Sequence, residues 1–397
     1  MAPRSYRKVL PGIVADAWRL RHFETLFAIL KSRPPLQRRN NDDTENNDLE
    51  RQPMTPTHQH GAGCGCGIDV HTHFVPERLP PLPAGSREPT WPSMAPGDTC
   101  NHRHVMVAGK NYRTVTSQCW SAPQRLEDMA GMQVARQALS PMPELLSYWM
   151  EGKDAAVLHR DINEQMTRLA EAHPGKFDVL VAVPLQDVEL AIAELEYAAT
   201  VLKATGAEIG SNINGRYIGS PEFEPFFAAA ERLGMAIFVH AMRPAGLERL
   251  IGPPAFEQVL GFPNEIGHSA ASAITSNLLL RHPKLRIAFS HGGGSLAILL
   301  PRLQHGWHNF PPLQKLIEKS PFEQARLLYY DTLVYDPPTL RFLLERFGAD
   351  ALMIGTDYPF TIMETDPLGQ LAALQLDADT LGKLRYANAE RFLKRPD

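Results

Sequence analysis

The chain has 397 residues, 44% hydrophobic and 21% charged, with a formal charge of −4. That balance fits a globular protein and excludes extended disorder, a coiled-coil rod and any general electrostatic pull toward nucleic acid. No apolar run reaches the roughly 18 residues that a membrane span needs, and four cysteines (Cys64, Cys66, Cys100, Cys119) in so long a chain do not build a disulfide scaffold. A reducing, cytoplasmic setting is the expectation.

Residues 1–39 carry nine Lys/Arg against Asp16 and Glu24, and residues 40–50 then hold five carboxylates and no base. Val14, Trp18, Leu20, Phe23, Leu26 and Leu30 fall loosely at helical spacing. Residues 1–63 therefore read as a disordered leader, or as translated upstream sequence with the start at Met54. Mitochondrial import by a basic amphipathic segment remains an alternative. Beyond it, His58, His60, Cys64 and Cys66 offer only a weak accessory soft-metal pattern.

From residue 64 on, eight short apolar runs follow one another. The first ends at His71. The next three start at Val134, Phe177 and Ala207. Two more end at His240 and His291, the seventh starts at Tyr329, and the last ends at Asp357. Continuous apolar strands of this length suit a parallel sheet buried on both faces. The spacers read as helices: Asp187 to Lys203, Pro221 to Leu233 with Ser220 as N-cap, Pro263 to Arg281, Ser295 to His308, Pro337 to Phe347 and Ala378 to Leu393. Eight strands alternating with helices predict an α/β fold, a (β/α)8 TIM-like barrel spanning 64–397. No GxGxxG follows the first strand, which argues against a doubly wound sheet. The proline-rich stretch 76–120 reads as an insertion after strand one, with a small hairpin in HVMVAGKNYRTVT.

Barrel active sites gather at the C-terminal strand ends. Strand one ends His71-Thr72-His73, and residues two apart on a strand share a side. With His240 and Asp357 they make an N3O set suited to one divalent metal ion, Zn2+ or another borderline cation such as Mn2+, with a position left for water. His291 opens HGGGS. It reads as an acid/base group, or as a histidine that only orients a ligand.

In this order, IDVHTHFVP, FVHAMRP, FSHGGGS and GTDYPF resemble the amidohydrolase superfamily, and within it the decarboxylase branch typified by 2-amino-3-carboxymuconate 6-semialdehyde decarboxylases. YRTVTSQCW, ALSPMPELLSYW, LPRLQHG and LVYDP extend the resemblance from about Gly67 to Leu393. It implies a metal-dependent carboxy-lyase without organic cofactor, acting on a small unsaturated carboxylic acid. It also implies metal ligation by His71, His73, His240 and Asp357, with Asp357 counted in the catalytic set. His291 matches the histidine that takes a proton from the metal's water. Arg113 and Arg302 match two arginines that hold substrate carboxylates, the second from across a homodimer interface. Guanidinium forks suit that task.

Two features keep other readings open. After His240 the chain runs Ala-Met-Arg-Pro where the type enzymes have Pro-Trp-Asp-Met, so Arg243 offers a further anion contact and the substrate differs in principle. A hydroxybenzoate-type aromatic acid is one alternative, and a single-metal hydrolase or hydratase on the same barrel is another. SNINGRY at the strand-four end offers neither lysine nor glutamate to bridge two metals.

Overall fold

The computed structural model of the chain describes residues 66–394; the leader, Met54 and the accessory pattern at His58, His60 and Cys64 lie outside the described residues. Eight strands form one parallel sheet: β1 (Gly67–Phe74), β5 (Val134–Pro141), β6 (Phe177–Ala182), β7 (Gly206–Gly210), β10 (Ala236–His240), β11 (Ile287–Phe289), β12 (Tyr329–Asp331) and β13 (Leu352–Met353). They lie in that order. The seam back to β1 is closed by Val70 N donating to Ile354 O (2.9 Å) and His73 N donating to Tyr358 O (2.7 Å). The chain is thus a (β/α)8 barrel, and each of the eight apolar runs supplies one strand.

The lumen is packed by side chains from six strands, among them Ile68, Val70, Leu180, Phe238, Ala288 and Met353. Burying each large apolar side chain stabilises the fold by roughly 1.5–3 kcal/mol. Phe392 and Leu393 at the C-terminal end of the chain join this cluster. A second, larger cluster fills the space between the strands and the surrounding helices. No helix among the described residues is long and apolar enough to cross a membrane.

The helices follow the sequence pattern with four differences, the first being that Ala378 to Leu393 runs as two short helices, Ala378–Gly382 and Asn388–Phe392, joined by a π turn over Lys383–Ala387. Asp187 lies outside its helix as the N-cap of Val188–Thr200, accepting from Leu190 N at 3.1 Å. Ser220 takes an extended conformation but its side chain caps nothing, because Pro221–Phe223 enters as a 3-10 turn ahead of Glu224–Leu233. The span from Pro263 to Arg281 is two helices, Phe262–Thr275 and Leu278–Arg281, broken where Asn277 adopts a left-handed φ of 58°. Gly152–Ala172, not singled out from the sequence, packs against β6.

Between β1 and β5 the insertion folds as a three-stranded antiparallel sheet of β2 (Ser93–Pro96), β3 (His102–Val107) and β4 (Lys110–Thr116). Ala108 and Gly109, both at positive φ, make the two-residue turn that the strand twist favours. A short ladder of β8 (Asn212–Ile213) and β9 (Arg216–Tyr217) follows β7.

Candidate active site

Strand alternation alone would place His71 on the face opposite Ile68 and Val70. The pairing of β1 with β5 slips between Asp69 and Thr72, however, and that irregularity resets the phase. Val70 packs in the lumen, and the next residue, His71, joins the ring cluster at the barrel mouth with His73 and His240. The seam supplies the fourth member, because Asp357 N donates to His71 O at 2.9 Å. The structure thereby brings His71, His73, His240 and Asp357 together, all buried, with one potential ligand atom from each within 4.8 Å of the others.

The hydrogen bonds settle which atoms face inward. His71 Nδ1 donates to Asp331 Oδ2 (2.7 Å), His73 Nδ1 to Pro141 O (3.2 Å) and His240 Nδ1 to Ala241 O (2.9 Å). Each ring then turns its Nε2 lone pair to the centre. His71 Nε2 and His73 Nε2 approach to 3.2 Å, Asp357 Oδ1 lies 2.9 Å from His73 Nε2, and His240 Nε2 is buried without any partner. Converging lone pairs repel unless a cation sits among them, so the residues present fit a divalent metal with N3O ligation.

Without a cation the cluster draws in a proton instead, at His71, and a bound metal would displace it. Burial opposes charge on His71, but the Asp331 hydrogen bond and the charges of Asp357, Asp331 and Glu208 outweigh it and carry its pKa up to about 9. His240 is driven well below the ordinary histidine value by burial and by the neighbouring His73, His71 and His291. Burial, then the charge on His71, holds His291 down at about 4, so this imidazole is neutral near pH 7.

His291 follows β11 at a φ of 54°, its ring 5.2 Å from that of His240 and 5.5 Å from that of His71. Its amide donates to Asp331 Oδ2 at 3.0 Å, and Gly292 N donates to Oδ1 at 2.7 Å. A side chain at Gly293 would put its Cβ 2.6 Å from the Tyr330 ring, which is why this turn uses glycine.

Above the ring cluster opens a cavity of about 310 Å3 reached by His240, His291 and Asp357. Phe262, Val259, Leu333, Val334, Phe360 and Ile362 make it largely hydrocarbon, and Arg113 and Glu144 bring charge. Arg113, on β4, lays its guanidinium 4.4 Å from the centre of the Phe360 ring, which stacks on His73 at 4.9 Å. Arg302 is not brought here. It stands exposed on the helix Leu296–Asn309, away from the residues that line the cavity. Arg243 also turns aside, stacking 3.7 Å from the centre of the Trp149 ring in a smaller adjoining pocket.

Sequence reasoning missed Asp331 and Glu208. Asp331 ends β12 and was as visible at a strand end as His240; the run YYDTLVY carried the signal. Glu208 sits inside β7, fully buried, its pKa raised to about 7 by burial. It lies outside the four-residue ligand group.

The sequence profile of the amidohydrolase family matches residues 68–395. A 2-amino-3-carboxymuconate-6-semialdehyde decarboxylase of Dictyostelium discoideum is 32% identical over 329 residues, covering 82% of this chain and 90% of that one. A 6-methylsalicylic acid decarboxylase of Penicillium expansum is 32% identical over 213 residues, 52% of this chain and 64% of the other. Among solved structures, the manganese-bound 5-carboxyvanillate decarboxylase of Novosphingobium aromaticivorans superposes with a TM-score of 0.67 at 19% identity, over 84% of this chain and 97% of its own. The chain belongs to the amidohydrolase family, in its decarboxylase branch.

Proposed function

We propose that the protein is a metal-dependent carboxy-lyase that removes CO2 from a small, planar, unsaturated carboxylic acid, with 2-amino-3-carboxymuconate 6-semialdehyde as its substrate. The observation that carries this reading is the convergence of three Nε2 lone pairs and Asp357 Oδ1 at the floor of a cavity that Arg113 also lines. The relatives of that name, one matched over 90% of its length, support the choice of substrate.

His71, His73, His240 and Asp357 would hold the metal, zinc or manganese. When bound, the ion supplies a Lewis acid and lowers the pKa of water beside it. Neutral His291 accepts a proton at the cavity floor and returns it to the carbon whose bond to the carboxylate breaks, so that carboxylate plus proton yield CO2 and the C–H product. Arg113 pairs with a carboxylate through its planar fork. The hydrocarbon walls thin the water around the departing carboxylate, which favours neutral CO2 over the anion.

A homodimer completes the reading. Arg302 shares its helix with Ile298, 70% exposed, and with exposed Leu299, an apolar face suited to a second copy that would receive the guanidinium.

A second reading, decarboxylation of a hydroxybenzoate, is favoured by Arg243, which stacks on Trp149 and leaves the main cavity with Arg113 as the cation lining it. CO2 release from the muconate semialdehyde and from 2,6-dihydroxybenzoate, with and without chelator, tests both. Chelator-sensitive release from the first alone supports the primary substrate; release from the second alone transfers the site to aromatic acids; release from neither, with metal bound, discards both substrates.

A further inference from the structure

A side chain held at positive φ crowds the backbone, at a cost of about 1–2 kcal/mol, and such residues gather at functional sites. Four of them stand just beyond the last four barrel strands. Arg243 (φ 40°) follows β10, His291 (54°) follows β11, Tyr335 (63°) follows β12 and Asp357 (63°) follows β13. His291 and Asp357 belong to the site already described. Arg243 is spent on Trp149. Tyr335 lines the cavity together with His291 and Asp357 and has no role so far.

We infer that Tyr335 is a substrate-contacting, specificity-determining residue: its phenolic hydroxyl donates a hydrogen bond to an oxygen substituent of the bound planar acid, a ring hydroxyl or a second carboxylate. The inference rests on the reading that this cavity takes a planar carboxylate, whichever of the two acids is turned over.

Three further observations carry it. The connection from β12 to the following helix is pinned at both ends and cannot relax the strained residue. Leu333 N donates to Asp331 Oδ1 at 3.1 Å, Val334 N donates to Thr332 O at 2.9 Å, and Asp336 caps the helix Pro337–Phe347 through Thr339 N at 3.2 Å. The anchor at the strand end is the same carboxylate that orients His71, so the phenol is registered to the ligand cluster. The hydroxyl is also uncommitted: Tyr335 is 46% exposed at the cavity mouth, and among the described residues no protein group hydrogen-bonds to it. Finally, it is a donor at working pH. Burial, then the charges of Asp357, Asp331 and Glu364, holds its pKa above the ordinary tyrosine value. Arg113 is fitted to a carboxylate and Glu144 accepts hydrogen bonds, which leaves the phenol as the neutral donor for an oxygen elsewhere on the ligand.

The test uses the full-length protein loaded with Mn2+ and two benzoates that differ in oxygen substituents, 2,6-dihydroxybenzoate and 2,6-dimethylbenzoate. Calorimetric Kd values are compared between wild type and Tyr335→Phe, with Mn2+ stoichiometry and Tm measured alongside. The expected result is about a tenfold loss for the dihydroxy acid and less than about twofold for the dimethyl acid, at unchanged metal content. Tyr335→Asn, which tolerates positive φ, should keep or raise Tm while losing the same affinity. Unchanged Kd values for both acids in Tyr335→Phe overturn the role of Tyr335 alone. Binding of neither acid by the Mn2+-loaded wild type overturns the planar-carboxylate reading and this inference with it.

Discussion

Asp331 Oδ2 lies 2.7 Å from His71 Nδ1 and accepts the His291 amide at 3.0 Å. One carboxylate therefore fixes the tautomer of a candidate metal ligand and the backbone of the candidate acid/base residue. Asp331→Asn keeps the shape but offers His71 an amide, which disturbs both the ring orientation and the ligand's basicity. Metal affinity, read by competition with a fluorescent chelator, should fall about 10- to 100-fold. Unchanged affinity would reduce Asp331 to a packing residue.

His291→Gln removes a proton acceptor without touching the four-residue ligand group. Turnover should drop by about 10²-fold or more while metal stoichiometry stays at one per chain. Full turnover with metal retained would end the acid/base role.

Removing the metal should lower Tm as well as activity. Binding to the native state alone stabilises it, and the four converging ligand atoms are brought together only by folding. Dialysis against chelator, followed by scanning calorimetry and readdition of Zn2+ or Mn2+, measures this. A Tm indifferent to the metal would count against the N3O site.

Arg113→Ala and Arg302→Ala should each be nearly inactive, yet a mixture refolded or exchanged together should recover roughly a quarter of wild-type activity. Half the dimers are then mixed, and each mixed dimer rebuilds one intact site. Additive inactivity in the mixture, or a monomer by light scattering, removes Arg302 from the site.

His159 is fully buried, its Nε2 donating to Leu146 O at 3.0 Å, and burial pushes its pKa down to about 4. The unfolded chain binds that proton near pH 6.5, well before the native protein does. Stability should thus fall as the pH drops from 7 to 5, by about 2 kcal/mol from this group alone. Urea unfolding at several pH values would reveal the slope, and His159→Gln should flatten it.

Much of this protein is legible in one dimension. Eight apolar runs announce eight barrel strands because buried parallel strands need uninterrupted hydrocarbon on both faces. His71, His73, His240 and Asp357 stand out because barrel chemistry collects where strands end, and a polar residue there is conspicuous against the run before it. Other features were out of reach. The slip in β1 that turns His71 inward depends on its pairing with β5, and the convergence of three Nε2 atoms depends on what each Nδ1 meets across the barrel. Arg113 came by resemblance and lines the cavity, whereas Arg302 came the same way and faces outward in a single chain. Tyr335 and Phe360 lay unremarked inside quoted motifs, since strain and stacking are relations between elements far apart in the chain. The sequence by itself determined the strands, their order and the residue types at their ends, which follow from local burial and turn chemistry. Only the tertiary structure decided which of those side chains share one cavity, because that depends on sheet register and barrel closure, and these are set by contacts up to hundreds of residues distant, such as that between Asp357 N and His71 O.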